Sequence, residues 1–177
     1  HIDDITEDSQ TVTISIRCDT ILDNWDKLDN SLKSDKYVPA DGVILPTFRA
    51  VLRKGDTVYD IFSRVTRYSK IVTDCVYTVN YSSVYVKGIN HLYEFSCGEL
   101  SGWMYRVNGV FPGYGCSKYV LKDGDVIEWV YTCDLGRDVG GEFGTVPSVE
   151  NDRVQQKTDT YTFFYDKIAV VSPPKAA

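Results

Sequence analysis

The chain of 177 residues is poor in the residue types and patterns on which most enzymatic and metal chemistry is built. It has two histidines, His1 and His91, and a single methionine. There is no P-loop, no His-Glu-x-x-His and no Gly-x-Ser-x-Gly. No two of the five cysteines stand as Cys-x-x-Cys, which argues against a zinc ribbon or a thioredoxin-type site. No apolar run approaches the roughly 20 residues that cross a bilayer, so no membrane insertion of this segment is expected. Positive charge is in deficit: 19 Lys and Arg stand against 25 Asp and Glu, a net charge of -6. That argues against a nucleic-acid partner, which needs a basic face, and against an anionic membrane surface, while leaving room for a local basic patch.

Little is left for catalysis. A histidine-activated nucleophile would have to combine His91 with Cys97, and sequence proximity alone is weak support for that. His91 reads better as a surface or strand-end residue, and the expectation is that the protein is not an enzyme. The acidic turns Asp123-Gly124-Asp125 and Asp134 to Asp138 do not follow an EF-hand spacing, and read as turn chemistry. Asn80-Tyr81-Ser82 matches the glycosylation sequon, a short pattern that has meaning only in some sources.

What is present is the vocabulary of β structure. There are 13 tyrosines, and hydrophobic residues make up 43 % of a chain long enough to bury its own core. The length corresponds to one domain, with or without a tail. Residues 1–10, HIDDITEDSQ, are a disordered or polar leading segment with the character of a mature chain start rather than an export signal. Residues 11–18 alternate cleanly, with Val12, Ile14, Ile16 and Cys18 on one face. Residues 23–42 read as a long polar connection, and 43–53 as a strand irregular at Pro46. Thr57 and Asp60 form a capping-box pattern before Val58, Ile61, Phe62 and Val65, which recur at helical spacing. This predicts a helix over about 57–69.

Strand language returns at 75–81 and 83–89. Asn108-Gly109 and Asp123-Gly124 are hairpin-turn signals, and the last strand, 126–133, places Ile127, Trp129, Tyr131 and Cys133 on one face. Residues 139–177 form an extension of different character, within which 160–171 could add an edge strand. Two strands, one helix and further strands imply an α+β fold: a mixed sheet with a single helix across it, in an order that fits the β-grasp topology with first and last strands as central neighbours.

Two features bear on function. Trp103, Tyr105, Phe111, Tyr114, Tyr119, Trp129 and Tyr131 crowd two expected hairpins. Trp103 and Trp129 read as core. Phe111 and Tyr114 lie in VFPGYG, whose Gly and Pro prevent every ring from turning inward; with Tyr119 they are the candidate ligand-binding residues. The cysteines are either small buried hydrophobes or disulfide partners in an oxidising compartment. The pairs to consider are Cys97 with Cys116, which flank a hairpin, and Cys18 with Cys133, which end neighbouring strands; Cys75 is then left over.

The segments TVTISIRCDTIL, VPADGVIL, KGDTVYDIF, GWMYRVNG and KYVLKDGDVIEWVYT occur in the order in which they resemble the transcobalamin-like C-terminal domain. The resemblance covers about 11–138 and is most specific at Trp-x-Tyr-x-Val-Asn-Gly (103–109) and Tyr-x-Leu-x-x-Gly-Asp-x-Ile-x-Trp (119–129). It implies a β-grasp module of the kind found in vertebrate cobalamin carriers and in exported bacterial proteins of unknown function. In the carriers, a large helical domain absent from this sequence completes the pocket. The resemblance therefore implies the fold more strongly than the ligand. The expected role is a non-catalytic binding module of a bacterial surface or secreted protein. Its ligand would be cobalamin or another corrinoid, another small molecule, or a glycan or protein partner outside the cell. The alternative is a structural or adhesive spacer of a surface protein.

Overall fold

The computed structural model describes residues 4–141, and of Tyr81 only the backbone. The edge strand expected near 160–171 lies outside the described residues, as does most of the 139–177 extension. The described residues form an α+β fold with seven strands, one α-helix and several short 3-10 turns.

The alternating strand β1 (Thr11–Arg17) forms where expected, with Val12, Ile14 and Ile16 buried. It pairs antiparallel with β2 (Val43–Val51) and parallel with β7 (Val126–Thr132). β6 (Gly102–Val107) completes a four-stranded sheet in the order β2-β1-β7-β6. First and last strands are thus central neighbours, the β-grasp arrangement. The irregularity expected at Pro46 is a bulge: Ile14 faces Phe48 while Ile16 faces Leu45, so β2 holds an extra residue there. A proline, which cannot donate a ladder hydrogen bond, is tolerated at such a place.

Helix α1 (Val58–Tyr68) lies across this sheet. Thr57 caps it through the expected box: its hydroxyl accepts from the Asp60 N–H at 3.3 Å, and Asp60 Oδ2 accepts from the Thr57 N–H at 2.8 Å. Val58, Ile61, Phe62 and Val65 are fully buried, and the Phe62 ring meets Trp129 of β7 at 4.7 Å between centroids.

One expectation is corrected. The strands read at 75–81 and 83–89 do not extend the main sheet. They appear as β3 (Thr73–Thr78) and β4 (Ser83–Ile89), which form a separate three-stranded sheet with the short β5 (Leu92–Tyr93). Asn90 and His91, both at positive φ, make the two-residue turn between β4 and β5. Trp103 and Tyr131 hold the second sheet against the first. The Trp103 indole donates to the Leu92 carbonyl at 2.8 Å and the Tyr131 hydroxyl donates to the Tyr93 carbonyl at 2.7 Å. Both aromatic side chains are core, as is Trp129.

Candidate functional site

The candidate ligand-binding residues lie on the long connection between β6 and β7, residues 108–125. It begins with the turn that Asn108-Gly109 predicts: both residues have positive φ, and Val107 and Val110 exchange backbone hydrogen bonds at 2.9 and 3.1 Å. The second strand expected after this turn does not form. The chain instead runs as an irregular loop pinned at several places.

At its start, the Asn108 side chain donates to Asp125 Oδ1 and accepts from the Val126 N–H, both at 2.9 Å, which ties the loop to the beginning of β7. In its middle, the buried Tyr105 hydroxyl donates to the Tyr114 carbonyl at 2.5 Å. Gly115 lies so close to β4 that a Cβ there would meet Ser83 Oγ at 1.8 Å. Next to it, the Ser117 hydroxyl accepts from the Val84 N–H at 3.0 Å. At its end, the loop supplies acceptors to the helix. The Val58 N–H donates to the Tyr119 carbonyl at 3.0 Å, and the Tyr59 N–H to the Cys116 carbonyl at 3.1 Å. These are N–H groups with no partner inside the helix, so α1 and the loop complete each other.

The loop so held brings Tyr114 and Tyr119 together and gives Phe111 a different neighbour. The rings of Tyr114 and Tyr119 stack at 5.7 Å with 16° between their planes, and both are half-buried. Burial, with Asp125 and Tyr114 nearby, raises the Tyr119 phenol above its ordinary value, so this ring of the stack presents a neutral hydroxyl near neutral pH. Lys118, Val110 and Val120 of the same loop are exposed. Phe111 lies under the Arg106 guanidinium, 5.8 Å from its ring centroid. Arg106 is fixed by a two-point contact with Glu128 at 2.7 and 3.1 Å and by the Val139 carbonyl at 3.1 Å. A preformed pair of parallel rings with hydroxyl edges suits a flat apolar face or a sugar ring, through stacking and peripheral hydrogen bonds.

The other sequence candidates separate. The exposed His91 packs edge-on against Tyr37 at 5.3 Å, whereas the buried Cys97 sulfur donates to the Asn24 carbonyl at 3.4 Å. The acids of the two acidic turns are engaged locally. Asp123 accepts from the Thr11 N–H at 2.8 Å, Asp125 from the Lys122 N–H at 2.8 Å, and Asp138 from the Cys133 N–H at 2.8 Å and from the Thr132 hydroxyl. Among the described residues no group of three His, Cys, Asp or Glu converges.

No disulfide joins the five cysteines among the described residues, neither Cys97 with Cys116 nor Cys18 with Cys133. Cys116 rests against the Val84 carbonyl rather than Cys97. Cys97 and Cys133 instead lie near each other, their sulfurs resting on Asn24 and Thr20 of the same 3-10 turn. Burial pushes the Cys18 thiol up to about 12, with Asp19 and Asp41 adding to the rise and Arg17 opposing it. Neither the Arg106–Glu128 clamp nor the Cys97–Cys133 contact is signalled by spacing, since both follow from the pairing of β6 with β7.

A family model described as a domain of unknown function, DUF4430, matches residues 55–133. That span holds α1, β3 to β7 and the whole aromatic loop, and omits β1 and β2. No curated protein matches the chain. Among solved structures, the chain is similar to haptocorrin in complex with Cbi, with a TM-score of 0.49 and 12% identity. The similarity covers 75% of this chain and 27% of that one. It is also similar to a metal-binding candidate from Ruminococcus gnavus, with a TM-score of 0.41 and 9% identity, over 70% of this chain and 96% of that one.

Proposed function

We propose that this chain is a non-catalytic binding module of a secreted or surface-exposed bacterial protein, and that it recognises its ligand through the loop between β6 and β7. The observation that supports this reading is the Tyr114–Tyr119 stack. Two half-buried rings lie parallel on a loop that β4, β6, β7 and the helix start all hold in place. A loop anchored at that many points is pre-organised, which lowers the ordering cost of binding. Of the ligand classes that suit two parallel rings, corrinoids are the first to test, because the sequence resembles the module of the cobalamin carriers. Glycans, or a partner protein outside the cell, follow.

The test is calorimetric titration of the purified chain with cyanocobalamin and with cobinamide. Micromolar binding that is lost in Tyr114→Ala and Tyr119→Ala supports the reading. Absence of heat at millimolar corrinoid overturns the corrinoid assignment. If a glycan panel is then equally silent, the small-molecule reading falls and the structural or adhesive spacer stands in its place.

A further inference from the structure

Cys97 and Cys133 are distant in sequence but are brought to one place by two adjoining turns. Cys97 follows β5 and Cys133 follows β7. The register of β6 with β7 sets Gly102 opposite Thr132, and the Leu135 N–H continues the connection by donating to the Leu100 carbonyl at 3.0 Å. Ser101 bridges the two turns. Its hydroxyl accepts from the Cys97 N–H at 3.1 Å and lies 3.0 Å from the Tyr131 hydroxyl. Both sulfurs also rest on the same 3-10 turn after β1: Cys97 Sγ is 3.4 Å from the Asn24 carbonyl and Cys133 Sγ is 3.7 Å from Thr20 Oγ1. Asn24 in turn donates to the Thr20 carbonyl at 2.9 Å. The thiols thus meet in a buried niche with hydrogen-bonded walls.

We propose that Cys97 and Cys133 close as a disulfide when the protein folds in an oxidising compartment, cross-linking the turn after β5 to the end of β7. A low-molecular-weight disulfide such as glutathione disulfide is the oxidant. The Cys97 thiolate attacks one of its sulfurs, forming a mixed disulfide and releasing one small thiol. The Cys133 thiolate then attacks the Cys97 sulfur and releases the second small thiol. Two protein thiols lose two electrons and two protons, and one small disulfide becomes two thiols. Both cysteines are buried in the folded chain, so the exchange belongs to folding, before β7 is fully docked. The closed loop of about 35 residues constrains the unfolded chain. This inference does not depend on ligand binding, and its test reads neither corrinoid nor glycan.

The experiment refolds the full chain in a glutathione redox buffer, blocks free thiols under denaturing conditions and maps it with trypsin without reduction. Cleavage after Arg17, Lys70, Lys87, Arg106 and Lys122, among other sites, puts the five cysteines on five different peptides. The expected result is peptide 88–106 joined to peptide 123–137, lighter than their sum by two hydrogens, with Cys18, Cys75 and Cys116 blocked as thiols. Reduction should then lower Tm by roughly 10 °C in the wild type and leave the Cys97→Ser/Cys133→Ser double variant unchanged. Five blocked thiols, or a link from Cys97 or Cys133 to any other cysteine, would overturn the proposal. The map is made on the wild-type chain, so it stands even if the double variant does not fold.

Discussion

Arg64 Nη2 lies 2.6 Å from Asp56 Oδ2, and this largely buried pair joins the middle of α1 to the turn that precedes it. Asp56 Oδ2 also accepts from the Arg53 N–H at 2.9 Å, its carbonyl accepts from the Leu121 N–H at 2.9 Å, and Arg64 donates to the Val51 carbonyl at 2.9 Å. One ion pair thus gathers the end of β2, the helix and the end of the aromatic loop. Asp56→Ala should destabilise the protein by about 3 kcal/mol, because it leaves the guanidinium partly buried without its counter-charge. Asp56→Asn, which keeps an acceptor for Arg53, should lose less. Urea denaturation of both variants checks the order, and equal losses would show that the retained acceptor contributes nothing and that the charge carries the whole effect.

The Tyr105 hydroxyl reaches Tyr114 from the core side, so the aromatic loop can be loosened without touching the surface a ligand would meet. Tyr105→Phe keeps the ring against Trp129 and removes the donor, leaving the Tyr114 carbonyl short of one partner. The expected cost is about 1 kcal/mol in stability, accompanied by weaker binding of whatever ligand the loop takes. Paired denaturation and titration distinguish this from Tyr114→Ala, which should remove binding with a smaller loss of stability.

Gly42 and Gly55 both have positive φ, at +69° and +82°, but their surroundings differ. A Cβ on Gly42 would meet the Asp19 Cα at 2.5 Å, whereas one on Gly55 would meet nothing within 4 Å. Gly55→Ala should therefore lose only the left-handed backbone term, about 1 kcal/mol. Gly42→Ala should lose about 3 kcal/mol, because the backbone of the turn after β1 must also move. Thermal melts of the two variants give the comparison directly, and similar shifts would refute the role of the close approach.

Local order was legible where one face of one segment carried it. The alternation of Val12, Ile14 and Ile16 placed β1, and the capping box at Thr57 and Asp60 placed the start of α1. Ile127, Trp129 and Tyr131 likewise placed β7. The misreadings share another cause. Residues 118–121 look like a strand, but the carbonyl of Tyr119 and the N–H of Leu121 are committed to Val58 and Asp56, leaving only the bridge between Thr57 and Val120. That commitment depends on where the helix start falls in space, which spacing does not encode. The same holds for Cys97: its loop meets β7 through the pairing of β6, so Cys116, nearer in sequence, is not its neighbour. For the candidate site, the residue types singled out one loop, while the division of Phe111 from the two tyrosines required the fold.

Two buried thiols make the stability depend on alkaline pH. Burial pushes Cys18 and Cys116 up from the ordinary thiol value of 9.0 to about 12. In the unfolded chain both would ionise near the ordinary value. Between pH 9 and about 12 the unfolded state therefore binds fewer protons than the folded state, and stability falls as pH rises. Below that window the contribution is fully present. Each thiol adds a slope of up to about 1.4 kcal/mol per pH unit, so the pair should make the loss steep above pH 10. The buried Tyr105 phenol, also raised by burial, adds to the same trend once the unfolded tyrosines ionise. Urea midpoints measured from pH 8 to pH 11 should decline in the wild type and decline less in Cys18→Ala/Cys116→Ala. A flat profile in the wild type would mean that these thiols do not remain protonated inside the folded protein.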